Sequence, residues 1–287
     1  DSEGRVTLAD LKAALRSDTF LVSIMMVNNE AGSVMPIGQM AKLVHKLNPD
    51  CIFHTDAVQG FLRIPFQAKS LGADLISVSS HKIHGPKGAG ALYISPRLKS
   101  FPALLVGGGQ ENNFRSGTEG TPAILGFAAA CGAGAATLKA DIEREKELLG
   151  YAIEKLSSME GVRINGAHEA PHILSLSVPG VPTQNTLNLL QEAMAYSAAE
   201  EGTKDVESAA ELETIIETAL SEAQIESLVI AKGHRSHVLS AMKLPPEVID
   251  GAFRVSISRE TTREEIDGFL KAMETKVLPF RLKGKKF

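Results

Sequence analysis

Lys82 stands in the stretch SVSSHKIHGPKGAGALYI (Ser77–Ile94), just past the apolar run ADLISV (Ala73–Val78) and just before a glycine-rich turn. An amine that attacks carbonyls must be partly desolvated and surrounded by groups that bind the molecule carrying the carbonyl. Ser79, Ser80 and His81 precede the lysine, and side chains of these types hydrogen-bond phosphate. The set suits a phosphate-bearing aldehyde, held at its phosphate by serine and histidine and joined to Lys82 as a Schiff base. Upstream, HTDAVQ (His54–Gln59) closes a strand-like run with Asp56 and Gln59. A carboxylate at a strand end suits a pyridinium nitrogen, because its charge keeps the ring protonated and electron-withdrawing. Gln59 suits a hydrogen bond to a ring oxygen. Taken singly, each residue also has an ordinary structural reading. A lysine in a glycine-rich turn is commonly a solvated surface residue, and an Asp after a strand commonly caps a turn or helix.

The elements that must position these residues alternate along the chain. FLVSIMMV (Phe20–Val27) and CIFHTDAV (Cys51–Val58) read as strands, with the helical spacing of IGQMAKLVHKL (Ile37–Leu47) between them. ADLISVS and GAGALYIS follow, separated by a glycine-rich turn. Strands joined by helical crossovers predict an α/β fold with a mostly parallel sheet. Thr121–Met159 reads as long helices, and HILSLSVPG (His172–Gly180) as a further strand. The domain change is placed in the long helical stretch, giving a large domain over 1–140 and a smaller one over 141–287. From Glu200 to Glu226 nine acidic residues face a single Lys204, with Val206, Leu212, Ile215, Ile216, Leu220 and Ile225 at helical spacing. This predicts an amphipathic acidic helix.

The 287 residues are 44% hydrophobic, 22% charged and 5% aromatic, an ordinary globular balance long enough to bury a full core. A net charge of −4 gives no electrostatic case for nucleic acid or anionic lipid. No apolar run reads as long enough to span a bilayer, so no membrane partner is expected. Two cysteines, Cys51 and Cys131, make no disulfide framework and point to a reducing, cytoplasmic setting. His234 and His237 in GHRSH lack further ligands nearby and read as structural, so no metal is expected.

Four stretches in this order resemble the cysteine desulfurases of the class V aminotransferase group: VNNEAG (Val27–Gly32), HTDAVQ, SSHKIHGPKGAGALYI (Ser79–Ile94) and GGGQENNFRSGTEG (Gly107–Gly120). The likeness continues through APHILSLSVPGV (Ala170–Val181), AKGHRSHVLSAMKLP (Ala231–Pro245) and FRVSISRETTREEID (Phe253–Asp267). The resemblance implies a pyridoxal-phosphate protein of fold type I, with a smaller α+β C-terminal domain carrying the acidic segment at about 200–228. It implies that Lys82 is the Schiff-base lysine and proton shuttle, Asp56 the pyridinium partner and Gln59 the ligand of the ring hydroxyl. Ser79 and His81 match phosphate ligands. Thr118 matches a threonine that reaches the phosphate of a neighbouring subunit, which implies a homodimer. Asn29 and Arg254 match groups that grip cofactor or substrate, Arg254 as a clamp on an amino-acid carboxylate. The matching reaction removes sulfur from L-cysteine, giving L-alanine and a persulfide for iron–sulfur cluster assembly or another sulfur-accepting scaffold.

The sequence also departs from that pattern. The family's upstream phosphate-binding glycine loop and ring-stacking histidine would lie before Asp1, so the large domain is expected to be incomplete at its N-terminus. The nucleophilic cysteine expected just before AKGHRSH is missing: Leu228, Val229 and Ile230 stand there. Cys131, in GFAAACGAG, reads as a core residue, as does Cys51. Two readings therefore stay open, a desulfurase-type enzyme and a catalytically impaired cofactor-binding or scaffold relative.

Overall fold

The computed structural model describes residues 1–202, 225–227 and 235–283. These divide into two compact units, an N-terminal unit (6–28 and 34–140) and a C-terminal unit (1–5, 29–33 and 141–287).

In the N-terminal unit, helix α1 (Leu8–Ala14) begins at a capping box formed by Thr7 and Asp10. Strand β1 (Leu21–Met25) follows, then α2 (Ile37–Leu47), β2 (Ile52–Asp56), the short α3 (Ala68–Leu71), β3 (Leu75–Ser79) and β4 (Gly90–Ile94). The sheet order is β1-β2-β3-β4, parallel across the first three strands and antiparallel between β3 and β4. Ile37, Met40, Ala41 and Val44 repeat at the spacing of one helical face, and all four are buried. Val22, Phe53, Thr55 and Ile76 are buried on the strands. The alternate positions carry Ser23, His54, Asp56, Ser77 and Ser79 along with Leu21, Met25 and Leu75, so the period of two gives a packed face and a face that bears the polar side chains.

A carboxylate hub holds the start of β3. Asp74 is 1% exposed; its Oδ2 accepts the Phe53 N–H at 2.8 Å and lies 2.9 Å from His45 Nε2. Arg97 adds Nε to Oδ1 at 2.6 Å and an Nη to Oδ2 at 2.8 Å, and the same guanidinium reaches the carbonyls of Pro49 and Cys51. Burial opposes ionisation of Asp74, yet the hydrogen bonds from Arg97, Phe53 and His45 outweigh it and hold the carboxyl below its ordinary value.

Helix α4 (Thr121–Ser157) supplies residues to both units. By length and composition it is apolar enough to cross a membrane, which corrects the expectation that no run qualifies. The apolar window itself is not buried, whereas the C-terminal half of the helix buries Ile142, Leu148, Leu149, Ala152 and Leu156. The C-terminal unit continues with β5 (Arg163–Asn165), β6 (Ile173–Ser177), α5 (Thr183–Gly202), β7 (Ile225–Ser227), α6 (His237–Ala241), α7 (Pro246–Asp250), β8 (Ala252–Ser256) and α8 (Arg263–Ala272). Its sheet is antiparallel throughout, in the order β5-β6-β8-β7. Leu174, Leu176, Phe253, Ile266, Phe269 and Met273 centre its core.

The acidic helix expected over Glu200–Glu226 needs correction at its C-terminal end, the only part of it beyond Gly202 that the described residues reach. α5 ends at Gly202, and Ile225–Ser227 pairs with β8 as a strand, where it satisfies backbone groups that an open edge would leave bare. Residues 203–224 lie outside the described residues.

The Asp74 hub predicts that Asp74→Asn lowers unfolding stability by about 2–3 kcal/mol, since the Arg97 guanidinium loses its charged acceptor. The sign with pH follows from the depressed carboxyl. Its stabilisation is complete above the unfolded value of about 3.9 and disappears as pH falls through the lower folded value. Urea unfolding of both proteins across an acid series checks this, and their difference should shrink toward the lowest pH.

Candidate active site

The carboxyl ends of β1, β2 and β3 share one edge of the N-terminal sheet, where parallel α/β sheets place ligands. Asp56 closes β2, opposite Met25 of β1 and Ser77 of β3. Its carbonyl accepts the Met26 N–H at 2.7 Å, and the next residue, Ala57, donates to the Ser77 carbonyl at 2.9 Å. The carboxylate is exposed and accepts the Val58 N–H through Oδ1 at 2.9 Å. No cation pairs with it among the described residues. Gln59 follows, half-buried in the turn that leaves the strand.

Two residues before Asp56, the half-buried His54 ring bridges two neighbouring strands. Its Nδ1 lies 2.8 Å from Ser23 Oγ on β1, and its Nε2 lies 2.9 Å from Ser77 Oγ on β3. Burial pushes the imidazole below its ordinary value, against an upward pull from Asp56. The sequence signals at Asp56 and Gln59 leave His54 unmarked, although the strand's period of two places it on the face of Asp56.

Ser79 ends β3, and its Oγ lies 2.7 Å from His81 Nδ1. With the hydrogen on Nδ1, the serine accepts it and keeps its own O–H to donate to an anion. Ser80 to Ile83 form one 3₁₀ turn that carries Lys82 half-buried, between the buried Ser80 and Ile83. The turn is clamped at both ends: Ser80 N–H donates to the Ala89 carbonyl and Gly85 N–H to the Ser80 carbonyl, each at 3.1 Å. His84 closes it with φ at +63°, a left-handed conformation in which histidine is enriched over most residues. Its Nε2 lies 3.4 Å from an Nη of the buried Arg63. A Cβ at Gly85 would lie 2.2 Å from Ser80 Oγ and 3.2 Å from Ala130 Cβ, so the chain passes where only glycine fits.

Thr118 lies exposed in the loop before α4, and no hydrogen bond joins it to Ser79, His81 or Lys82 among the described residues. Arg115 nearby donates to the Gly117 carbonyl at 3.2 Å. Asn29 and Arg254 belong to the C-terminal unit, and there the fold brings them together. Arg254 on β8 is 3% exposed; one Nη donates to the Asn29 carbonyl at 2.7 Å, and Nε donates to Ser256 Oγ at 3.0 Å. The Asn29 loop is held in turn. Gly32, at φ +68°, would bring a Cβ within 2.8 Å of the Ile173 carbonyl, and its own carbonyl accepts the Ala170 N–H at 2.8 Å. The Ser236 hydroxyl donates to the Glu30 carboxylate. A surface cavity of about 660 Å³ lined by Tyr151, Lys155, Asp267, Lys271 and Arg281 also lies in this unit and contains none of these residues.

Cys51 is fully buried at the head of β2, and burial, reinforced by Asp74, pushes its thiol up. Cys131 is half-buried on a largely exposed stretch of α4, which corrects the expectation of a core position; burial raises its thiol too. Leu228–Ile230 and His234 lie outside the described residues, while His237 is exposed at the start of α6.

The donor set at the sheet edge has the chemistry a phosphorylated pyridine aldehyde needs. It offers an anion with no competing cation among the described residues, a hydroxyl and imidazole beside the next strand's end, and an amine two residues beyond Ser80.

The sequence model of the family "Aminotransferase class-V" matches residues 1–269. The chain is 37% identical over 277 residues to cysteine desulfurase IscS of Dictyoglomus turgidum, covering 96% of this chain and 63% of that protein. It is 36% identical to a mitochondrial cysteine desulfurase of Arabidopsis thaliana, over 96% of this chain and 55% of the relative. The chain thus spans less of these relatives than they span of it. Among solved structures, a NifS-like protein superposes with a TM-score of 0.80 at 33% identity, covering 98% of this chain and 67% of that one.

The Gly85 geometry predicts that Gly85→Ala costs about 1–3 kcal/mol of stability through overpacking against Ser80. Ser80→Ala removes the nearest clashing atom, so the double variant should recover part of that loss. Urea unfolding of the three variants tests this; a Gly85→Ala midpoint equal to wild type would refute the close approach.

Proposed function

Because the chain belongs to the aminotransferase class-V family, we propose that it is a pyridoxal-phosphate protein of the cysteine desulfurase kind, acting on L-cysteine or a related amino acid. The observation that carries this reading is the common sheet edge that Asp56, Ser79, His81 and Lys82 occupy. Pyridoxal phosphate, when bound, acts as an electron sink for bonds at the amino acid's α-carbon. Asp56 would hold the ring-nitrogen proton by its unshared charge, and Gln59 would bond the ring oxygen. Ser79 and His81 would bind the phosphate. The Lys82 amine, once released by an incoming substrate amine, would move a proton at the α-carbon. Arg254, pre-oriented by Asn29 and Ser256, would take the substrate carboxylate in a bidentate pair.

A homodimer in which Thr118 reaches the partner's phosphate site completes the reading, with a sulfur-accepting scaffold as a further partner. Both thiols are free, which suits the reducing cytoplasm. A second reading rests on those same thiols. Sulfur leaving cysteine needs an attacking thiolate, and burial raises both Cys51 and Cys131. The sulfur half of the reaction would then be impaired while the amino-acid half stays in place.

The experiment is a visible absorption spectrum of the purified chain with and without added pyridoxal phosphate, followed by borohydride and peptide mapping. The expected result is a visible band that borohydride fixes on Lys82 and that Lys82→Ala lacks. L-alanine formed from L-cysteine then separates the readings: turnover supports the desulfurase, and a loaded but inactive chain supports the impaired relative. No band at excess cofactor would overturn both enzymatic readings.

A further inference from the structure

The polar face of the N-terminal sheet contains one connection that the backbone ladder does not require. Ser23, His54 and Ser77 form a side-chain rung across three parallel strands, with both imidazole nitrogens within 2.9 Å of a serine hydroxyl. The rung lies one pleat before Asp56 on β2 and one pleat before Ser79 on β3, about 7 Å from each along the strand. Strand spacing is already set by backbone hydrogen bonds, and the packed face, with Val22, Phe53, Thr55 and Ile76, manages without such a rung, the Thr55 hydroxyl making no hydrogen bond among the described residues. A half-buried imidazole costs desolvation that an apolar residue would not.

We propose that His54 is a positioning residue for Asp56: the Ser23–His54–Ser77 rung fixes where the carboxylate stands relative to Ser79 and directs its charge outward from the sheet edge. The proposal rests on the reading of Asp56 as the partner of the cofactor's ring nitrogen. A pyridine ring with a phosphate arm has a fixed span between its ring nitrogen and its phosphate. Its two anchors, on β2 and β3, must therefore keep a fixed separation, and the His54–Ser77 bond ties those two strands beside the anchors. The Ser23 bond stops the imidazole from turning about its Cβ. Each serine can donate or accept, so the uncharged ring satisfies both at once: one nitrogen donates, the other accepts. An uncharged ring also leaves Asp56 without a neighbouring cation that would share its charge. Placed in the same position, a lysine or arginine would neutralise the carboxylate and weaken its hold on a ring nitrogen.

The test is a titration of the full chain with pyridoxal phosphate, read by visible absorbance as an apparent Kd. It uses wild type, Ser23→Ala, Ser77→Ala, His54→Leu, Asp56→Asn and the double variant His54→Leu/Asp56→Asn. Each serine variant should weaken binding by about 3–10-fold, since one hydrogen bond to the ring is lost. His54→Leu should weaken it by about 10-fold or more, with a shifted band. In the Asp56→Asn background, His54→Leu should change Kd by less than about 2-fold, because a residue acting through Asp56 has nothing left to act on. Thermal midpoints of the apo-proteins separate this from unfolding; should His54→Leu fail to fold, the two serine variants carry the test. Wild-type Kd in His54→Leu and both serine variants, or losses that multiply in the double variant, would overturn the proposal. Absence of binding by wild type, or an Asp56→Asn variant that binds as tightly as wild type, would overturn the cofactor reading beneath it and the proposal together.

Discussion

The chemistry of the N-terminal unit depends on one register, in which β2 lies between β1 and β3 with Asp56 opposite Met25 and Ser77. Side chains alternate along a strand, so a slip of one residue would turn Asp56 toward the face that buries Phe53 and Thr55. A carboxylate there would lie among buried apolar side chains, at a cost of several kcal/mol. Hydrophobic sorting on one face and carboxylate solvation on the other therefore specify the same register. The position of Lys82 follows from it, because the turn that presents the lysine starts where β3 stops and is clamped to Ala89 and Gly85.

Two aspartates in this sheet receive opposite treatment, and the contrast separates structure from chemistry. Asp74, at the start of β3, is 1% exposed and accepts hydrogen bonds from Arg97 and the Phe53 amide, with His45 alongside. Nearly all of its acceptor capacity is consumed, so it serves the fold. Asp56, at the end of β2, is exposed and receives the Val58 amide, with no cation among the described residues. Its remaining capacity points to a ligand. Asp74 precedes its strand and Asp56 closes one, yet the residue type is the same; the partners that the fold assembles are what distinguish them.

Much of this was legible in the residues. The strands around Ile24, Phe53 and Ile76 and the helix through Met40 and Val44 follow from periods of two and 3.6, because burial enforces them. The placing of Asp56, Ser79, His81 and Lys82 at one sheet edge was legible, because strand ends and a glycine-rich turn fix where such side chains can stand. The Asp74 hub was not, since Arg97 and His45 come from positions 23 and 29 residues away and nothing local announces that they meet. The rung through His54 was half legible: alternation puts it beside Asp56, but its serines sit on other strands. The acidic stretch misled at Ile225, where apolar spacing compatible with a helix gave way to pairing with β8. A three-residue edge strand has too few positions for its period to register in the sequence.

Sulfur removal from an amino acid joins two chemistries with different requirements, and the described residues meet them unequally. Activation at the α-carbon needs an amine, an anion for the ring nitrogen and a clamp for the substrate carboxylate. Under the proposed reading Lys82 would supply the amine and Asp56 the anion, while Arg254, in the C-terminal unit, is held by Asn29 and Ser256. Sulfur capture needs a thiolate, whose pKa falls near cations or helix N-termini and rises in apolar surroundings. Cys51 and Cys131 are both shifted the wrong way, by burial. Cys51 is further opposed by the negative charge of Asp74, the same charge that secures β3. Burial first, and the charge of Asp74 second, thus raise the Cys51 thiol at the same end of the sheet that Asp74 secures.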